Sequence, residues 1–419
     1  MKLGPFEVPG YYVGDCRELL RRLPCDSINC CVTSPPYWSL RDYGVPPVIW
    51  GGDPACAHGW GPEIRRHRGG PAGESGVMLQ GGRSVVEAQA DVKDVRSGAY
   101  CQACGGWRGQ LGLEPTPGEF VDHLVEVFRE VHRVLRPEAT AWVNIGDSYA
   151  AGGNGGGGSF MSMREHNGWG YRADKKGWRS PPAGLKPKDL CLVPQRLALA
   201  LQADGWWVRS IVVWNKPNPM PEAVTDRPTG AHEYVLLLAK SERYFYNADA
   251  IKEPVSGTSK PRGKGRNPKS VAGKNEQSVD ARKVGFNERW RTKQNESFSG
   301  AVAGIVETRN KRSVWTIPTE PTVDYHFAAF PKKLVEPCIL AGSPYGGVVL
   351  DPFGGSGTVG KVADDLGRRW ILFDLSQPYA EIAKRKTAQA GLVPLEPPTP
   401  RKNRCTVTTL DPEGNPIAP

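Results

Sequence analysis

Residues 346–358 read GGVVLDPFGGSGT. A short apolar, β-branched run ends in an acid, a proline and an aromatic. Glycines follow almost at once, and then a threonine. A run of this length between glycines has the form of a buried strand, and the glycines after it form a tight turn into a helix. Glycine there tolerates left-handed backbone and lets a ligand come close to the main chain. Thr358 is placed to cap the helix that follows. The next apolar run, RRWILFDL at 368–375, ends in Asp374. That carboxylate lies about 20 residues past the glycines, where it can accept hydrogen bonds from both hydroxyls of a ribose.

Gly355, Gly357 and Gly360 also satisfy G-x-G-x-x-G, a pattern that serves dinucleotide sites and methyl-donor sites alike. Asp351 tilts the reading toward a methyl donor, because it ends its strand where it can meet a cationic or ammonium group. Phe353 is placed to cover an adenine. A pyrophosphate would gain nothing from a carboxylate at that point.

Outward from this unit, short apolar runs alternate with helical periodicity, the mark of an α/β sheet. The pattern predicts strands at Tyr11–Val13, Ile28–Thr33, Thr140–Ile145, Trp207–Trp214, Glu233–Ala239, Gly347–Leu350 and Arg369–Phe373. It predicts helices at Cys16–Leu23, Gly118–Leu135, Asp189–Ala203, Thr358–Leu366 and Pro378–Ala390. Three segments interrupt it: about 39–113, with its Cys and His residues; 151–187, which opens AGGNGGGGS; and 255–313. The last holds 14 Lys and Arg against 5 Asp and Glu, a surplus of 9 that accounts for most of the net charge of +10. Such a concentration is the footprint of a polyanion-binding element; a solvated loop is the plainer reading. The Pro-rich tail, 391–419, reads as disordered.

At roughly 150 residues per domain, 419 residues make two or three domains. There is no apolar run of about 18 residues, and the opening MKLGPFEVPGYYVGD has no apolar signal core. The chain therefore reads as cytoplasmic, without a membrane partner. Its ten cysteines are then expected to stay reduced. Cys30, Cys31, Cys191 and Cys338 sit in apolar surroundings as core residues.

A second stretch, CCVTSPPYW at 30–38, joins a core strand to Ser34, two prolines, Tyr37 and Trp38. Together with the glycine turn it resembles the amino-group DNA methyltransferases that use S-adenosylmethionine. Their signature, Asp/Asn/Ser-Pro-Pro-aromatic, is here Ser34-Pro35-Pro36-Tyr37. The motif order is that of the β-class, with the catalytic motif near the N-terminus and the donor loop near the C-terminus. Tyr12-Val-Gly-Asp15-Cys16, Ile211–Pro221, His232–Leu238 and His326-Phe-Ala-Ala-Phe330-Pro331 with Leu334 resemble other family segments.

The resemblance implies a Rossmann-like class I methyltransferase fold, circularly permuted, with a mixed seven-stranded sheet, helices on both faces and inserted loops. It divides the chain into a catalytic half (1–38 and 114–254), an inserted Cys/His segment (39–113), a basic target-recognition segment (255–313) and a donor-binding half (314–390). It implies S-adenosylmethionine held by Asp15, Asp351, Phe353, Gly355, Gly357, Thr358, Asp374, His326, Phe330 and Pro331. Double-stranded DNA is implied as the substrate. Ser in the first motif position resembles the N4-cytosine enzymes, with N6-adenine as the alternative. A non-catalytic zinc-containing DNA-binding protein on the same fold is a further alternative.

The chemistry of the motif stands beside the resemblance. An exocyclic amine is a weak nucleophile because its lone pair is delocalised into the ring. Ser34 Oγ and the Pro35 carbonyl can accept its two N–H bonds and release the lone pair, while the prolines fix the carbonyl direction. The base must leave the duplex to be reached, and Tyr37 offers a stacking face. A ring-attacking Pro-Cys nucleophile is not needed; Pro24-Cys25 and Pro337-Cys338 read as packing residues.

Cys56, His58, Cys101 and Cys104 form a Cys₃His set suited to one structural zinc, with a C-x-x-C-G knuckle and His67 as a substitute for His58. Free cysteines in a loop are the plainer reading. In the basic segment Arg262, Lys264, Arg266, Lys269, Arg289, Arg291 and Lys293 are candidate DNA contacts. Asp226-Arg227 either faces the substrate or pairs with itself. The sequence has no nuclease motif, so a restriction endonuclease partner would be a separate polypeptide. Monomer and homodimer both remain open.

Overall fold

The computed structural model describes residues 1–60, 99–150, 182, 184–255, 308–320 and 330–387, with the backbone of two short strands at 64–66 and 77–79. The chain divides into two compact units, Met1–Tyr246 with Ser313–Pro419, and Asn247–Arg312. In the described part of the second, Glu253–Pro254 pairs antiparallel with Thr308–Arg309, and Glu253 Oε1 accepts hydrogen bonds from Arg309 Nε and Arg312 Nε.

The first unit is built on a mixed sheet of eight strands. In chain order its elements are β1 (Gly10–Val13), α1 (Cys16–Arg21), β2 (Ile28–Thr33), α2 (Pro117–Val134), β5 (Leu135–Ile145), α3 (Val193–Ala203), β6 (Trp207–Asn215), β7 (His232–Ala239), β8 (Val314–Thr316), α4 (Lys332–Gly342), β9 (Val348–Asp351), α5 (Thr358–Asp365), β10 (Arg369–Asp374) and α6 (Gln377–Thr387). A separate two-stranded ribbon pairs β3 (Val48–Trp50) with β4 (Trp107–Gly109). The order across the sheet is β8-β6-β7-β5-β2-β9-β10-β1, with β7 antiparallel to both neighbours and every other pairing parallel. All seven predicted strands are present, and β8 adds an eighth at the edge.

Alternation along the strands explains why the sheet is covered on both faces. Cys31, Val348, Leu350, Ile371 and Phe373 belong to the cluster that includes the apolar residues of α1, α2 and α3. Their neighbours point the other way. A Cβ on Gly360 of α5 would meet Leu372 and Trp370, and one on Gly342 of α4 would meet Cys30, Thr140 and Trp142. Cys30, Cys31, Cys191 and Cys338 are all buried, as predicted.

Local chemistry sets the element ends. Thr116 and Glu119 form a reciprocal capping box at the start of α2, with Pro117 in the first turn. Helix α2 ends at Val134, and β5 begins at once, five residues before the predicted Thr140; a register shift opposite Ile28/Cys30 accommodates the start of the strand. Helix α3 starts at Val193, four residues later than predicted, because Pro194 fits only a first turn and Leu192 is left-handed. The apolar run around Cys338 forms α4. Among the described residues no helix is long and apolar enough to cross a membrane.

Parallel strands β1, β2, β9 and β10 deliver their C-terminal ends to one edge. Asp15, Ser34, Asp351 and Asp374 all follow or end these strands. Ligand sites of open α/β sheets lie at that edge.

Candidate active site

One cavity opens at the strand ends. Asp15, Ser34, Asp351, Phe353, Gly355 and Asp374 line it, and so do Pro36, Thr358 and Phe330. Of the predicted donor residues, Gly357 and Pro331 support the wall instead of lining it. Gly357 is left-handed at φ 79°, and a Cβ there would come within 2.7 Å of Ala383 Cβ. Pro331 is the residue before α4. His326 lies outside the described residues. Thr358 does not cap α5: Gly357 occupies the capping position, and no side chain bonds to the helix end. The left-handed glycine displaces Thr358 into the first helical position.

The glycine turn is fastened by backbone. Gly354 N–H donates to Phe373 O, Gly357 N–H to Gly354 O, and Tyr11 Oη to Gly355 O. Asp374 accepts from Gly355 N–H at 2.9 Å and from Ser376 N–H at 2.8 Å, one on each oxygen, which fixes its plane. Asp351 Oδ1 accepts from Thr33 Oγ1 at 2.6 Å and from Phe353 N–H at 3.0 Å.

Asp351 is buried and Asp374 is half-buried at the cavity wall. Burial pushes Asp351 up to about 7, partly opposed by its Thr33 and Phe353 hydrogen bonds and reinforced by Asp374. Burial likewise pushes Asp374 up to about 6 against its backbone donors. Raised carboxylates in a cavity are poised for a ligand that brings positive charge or hydroxyl donors, either of which would restore the ionised form.

Beside them stands the Ser34 motif. Pro35 is buried, while Ser34 and Pro36 face the cavity. Tyr37 is only half-buried by area, but its hydroxyl is fully engaged. It donates to Glu233 Oε2 at 2.6 Å and accepts from Asn144 Nδ2 at 2.6 Å, with Ser34 Oγ 3.5 Å away. Lys216 pairs with the other oxygen of Glu233. Burial, and then the Glu233 charge, hold the Tyr37 phenol well above its ordinary range. Its ring lies against Gly146, where a Cβ would approach to 2.8 Å. The tyrosine expected to offer a stacking face is therefore anchored through its hydroxyl and against Gly146. Asn144, Glu233 and Lys216 were not predicted. Their signal is a Lys just after β6 and a Glu just inside β7, at the end of the antiparallel pair where residues 216–231 connect the strands.

The inserted segment contributes more than was predicted. Trp50, Gln110 and Leu111 line the same cavity. Arg17 bonds both oxygens of Asp15 and the carbonyl of Ile49, and its guanidinium lies 3.9 Å over the Trp50 ring.

The four predicted metal ligands come together, their ligand atoms all within 4.8 Å of one another. Cys56 Sγ to Cys101 Sγ is 3.8 Å and Cys104 Sγ to His58 Nδ1 is 3.4 Å. Tetrahedral zinc, with Zn–S of about 2.3 Å and Zn–N of about 2.0 Å, needs edges of about 3.8 Å and 3.5 Å. The spacing fits a metal and is far too long for a disulfide of about 2.05 Å. His67 lies outside the described residues.

Asp226 and Arg227 do not pair with each other: Asp226 bonds Lys188, and Arg227 bonds Glu222 and stacks on Tyr149. Arg262, Lys264, Arg266, Lys269, Arg289, Arg291 and Lys293 lie outside the described residues, as does the 391–419 tail.

Residues 28–385 match the DNA methylase family model that groups N6 and N4 enzymes. The chain is 35% identical over 375 residues to the type II methyltransferase M.SmaI of Serratia marcescens, covering 89% of each chain. It is 35% identical over 391 residues to the type II methyltransferase M.Cfr9I of Citrobacter freundii, covering 90% of this chain and 88% of that one. Among solved structures it is similar to the PvuII DNA methyltransferase (cytosine-N4-specific), at 15% identity and a TM-score of 0.46 over 92% of this chain and 88% of that one. The chain belongs to the N6/N4 DNA methylase family and is a DNA methyltransferase.

Proposed function

We propose that the protein methylates the exocyclic N4 of a cytosine flipped out of double-stranded DNA, with S-adenosylmethionine as the donor. The observation that carries this reading is the opening of Ser34 onto the cavity that Asp351 and Asp374 line. S-adenosylmethionine, when bound, supplies an electrophilic methyl group on a sulfonium. Its needs fit the residues present: a glycine turn with no side chain in the way, and two carboxylates, Asp351 buried and Asp374 half-buried, that gain from positive charge and hydroxyl donors. Asp374 would accept the ribose hydroxyls, Asp351 would face the ammonium end of the donor, and Phe353 would cover the adenine.

On the target side, Ser34 Oγ and the Pro35 carbonyl accept the two N–H bonds of the amine and direct its lone pair into the cavity. The Asn144–Tyr37–Glu233 network holds the tyrosine still, so its ring is a rigid platform for the base. The amine proton then passes to solvent, since no base lies in hydrogen-bond contact with Ser34 among the described residues.

Ser34, as the first motif residue, supports cytosine; the same geometry would serve adenine N6, and pocket shape decides between them. The basic segment at 255–313 is the target-recognition element in this reading. Cys56, His58, Cys101 and Cys104 hold one structural zinc. The type II relatives support a role in a restriction-modification pair. Nucleoside mass spectrometry of duplex DNA treated with wild type and with Ser34→Ala tests the reading: N4-methylcytosine should form with the first and fall sharply with the second.

A further inference from the structure

We infer that the metal held by Cys56, His58, Cys101 and Cys104 fastens one wall of the methyl-donor cavity, so that metal loading controls donor affinity. The inference rests on the zinc and donor assignments above and extends them to a coupling between the two sites.

The path between them is short. In the β3–β4 ribbon Trp50 stands directly opposite Trp107. Two residues beyond Trp50, Gly52 is left-handed, and a Cβ there would come within 2.8 Å of both Cys104 Sγ and Gly106 Cα. Gly105 N–H donates to Cys101 O, and Cys101 N–H donates to Gly106 O, closing the knuckle just before Trp107. The ligand cluster is therefore the end-stop of the ribbon.

The ribbon leads into the donor cavity. Trp50, only 2% exposed, lines that cavity, and Gln110 and Leu111 just past β4 line it too. The Trp50 ring carries the Arg17 guanidinium, which grips Asp15, itself a lining residue. His123 of α2 stacks on both tryptophans, at 5.1 Å from Trp50 and 5.5 Å from Trp107. The buried carboxylate of Glu114 bonds His123 Nδ1 and Gly112 N–H. Gly112 in turn packs on Pro36 and Tyr37, and its carbonyl accepts from Ser39 N–H. The ribbon thus touches both the donor side and the Ser34 motif.

A ribbon of three residues per strand does not hold itself together in water; two-stranded pairs are marginal even when longer. Here the closure comes from the ligand set, and metal binding at such a set is folding free energy for the segment that supplies the ligands. Removing the ion releases the end of the ribbon, and Trp50, Gln110 and Leu111 lose their fixed positions. Donor binding must then order them again, which lowers its affinity.

The test uses the full chain. Elemental analysis of the protein as purified is expected to give about one zinc per chain. Cobalt exchanged into the site is expected to give the visible absorption of tetrahedral thiolate coordination. Titration calorimetry with S-adenosylmethionine is then run on metal-loaded, chelator-stripped and zinc-restored protein. Stripping is expected to weaken donor binding about 10-fold or more, with restoration by added zinc and little change in far-ultraviolet circular dichroism. Cys104→Ser should reproduce the stripped behaviour without a chelator. Zinc-loaded and stripped protein binding the donor equally would overturn the coupling while leaving the metal site in place. Absence of metal, with no uptake of zinc or cobalt, would overturn the metal site itself. Failure of the loaded protein to bind the donor would overturn the donor assignment, a result the elemental analysis keeps separate.

Discussion

Replacing Asp351 with Asn should stabilise the ligand-free protein at neutral pH while destroying its response to the donor. Asp351 is 1% exposed, and burial raises it from 3.8 to about 7. A rise of about three pH units, at roughly 1.36 kcal/mol each, corresponds to about 4 kcal/mol held against the folded state once the carboxylate is ionised. Asn keeps the shape, and its Oδ1 can still accept from Thr33 and Phe353 N–H.

The sign follows from proton counting. Between about pH 4 and pH 7 the folded state binds more protons than the unfolded one, so wild-type stability falls as pH rises through that window and levels off above it. The variant lacks this term. Urea unfolding of both proteins at pH 4, 5.5, 7 and 8 should therefore show a difference that grows by up to about 4 kcal/mol and then stays flat. Reading the change with pH removes any constant cost of the substitution. S-adenosylmethionine should raise wild-type stability, increasingly so as pH climbs from about 6 to about 7, because a cationic ligand binds the ionised carboxylate. It should do much less for the variant. A stability difference independent of pH, or a variant that binds the donor as tightly as wild type at pH 8, would refute the reasoning.

Ser34→Ala should slow methyl transfer about 100- to 1000-fold with donor affinity intact, checked by single-turnover kinetics beside calorimetry; a wild-type rate would remove Ser34 from the chemistry. In the proposed reading Asp374→Ala removes an acceptor of the ribose hydroxyls and should weaken donor binding roughly 30-fold, the scale of one hydrogen bond to a charged group. Equal affinity would sink the ribose assignment. Tyr37→Phe removes the hydroxyl between Asn144 and Glu233, which keep their own Asn144 Nδ2–Glu233 Oε2 bond and the Lys216 pair, and should cost about 1 kcal/mol in urea unfolding. It should cost less in rate than Ser34→Ala, and the reverse ranking would mean that the phenol itself takes part.

The donor half was legible because its signals are local. GGVVLDPFGGSGT carries strand, turn and helix start within one stretch, and parallel topology carries Asp351 and Asp374 to the same edge without further instruction. What stayed hidden is non-local. Strands β3 and β4 have three residues each, too few to show a period, and their partners are far apart in sequence. No pattern there could announce that Trp50, and Leu111 just past β4, line the cavity at the strand ends. The Tyr37 network is hidden for a related reason. Asn144 and Glu233 belong to different strands, and only the register that sets Tyr234 opposite Ile145 brings them to one hydroxyl. Nothing in the stretch around Tyr37 announces that its hydroxyl is anchored. The Cys and His residues were readable as a set because residue type, unlike pairing, survives an insertion between them. Helix ends went wrong where backbone overrode side chain, at left-handed Gly357 before Thr358 and at Pro194 in the first turn of α3.

The measurement closest to the central claim is mass spectrometry of nucleosides from duplex DNA incubated with the protein and methyl-labelled S-adenosylmethionine. The account expects label in N4-methylcytosine, lost with Ser34→Ala. Label in N6-methyladenine would contradict the choice of base, and no label in any nucleoside, from protein that binds the donor, would contradict the role given to the Ser34 motif.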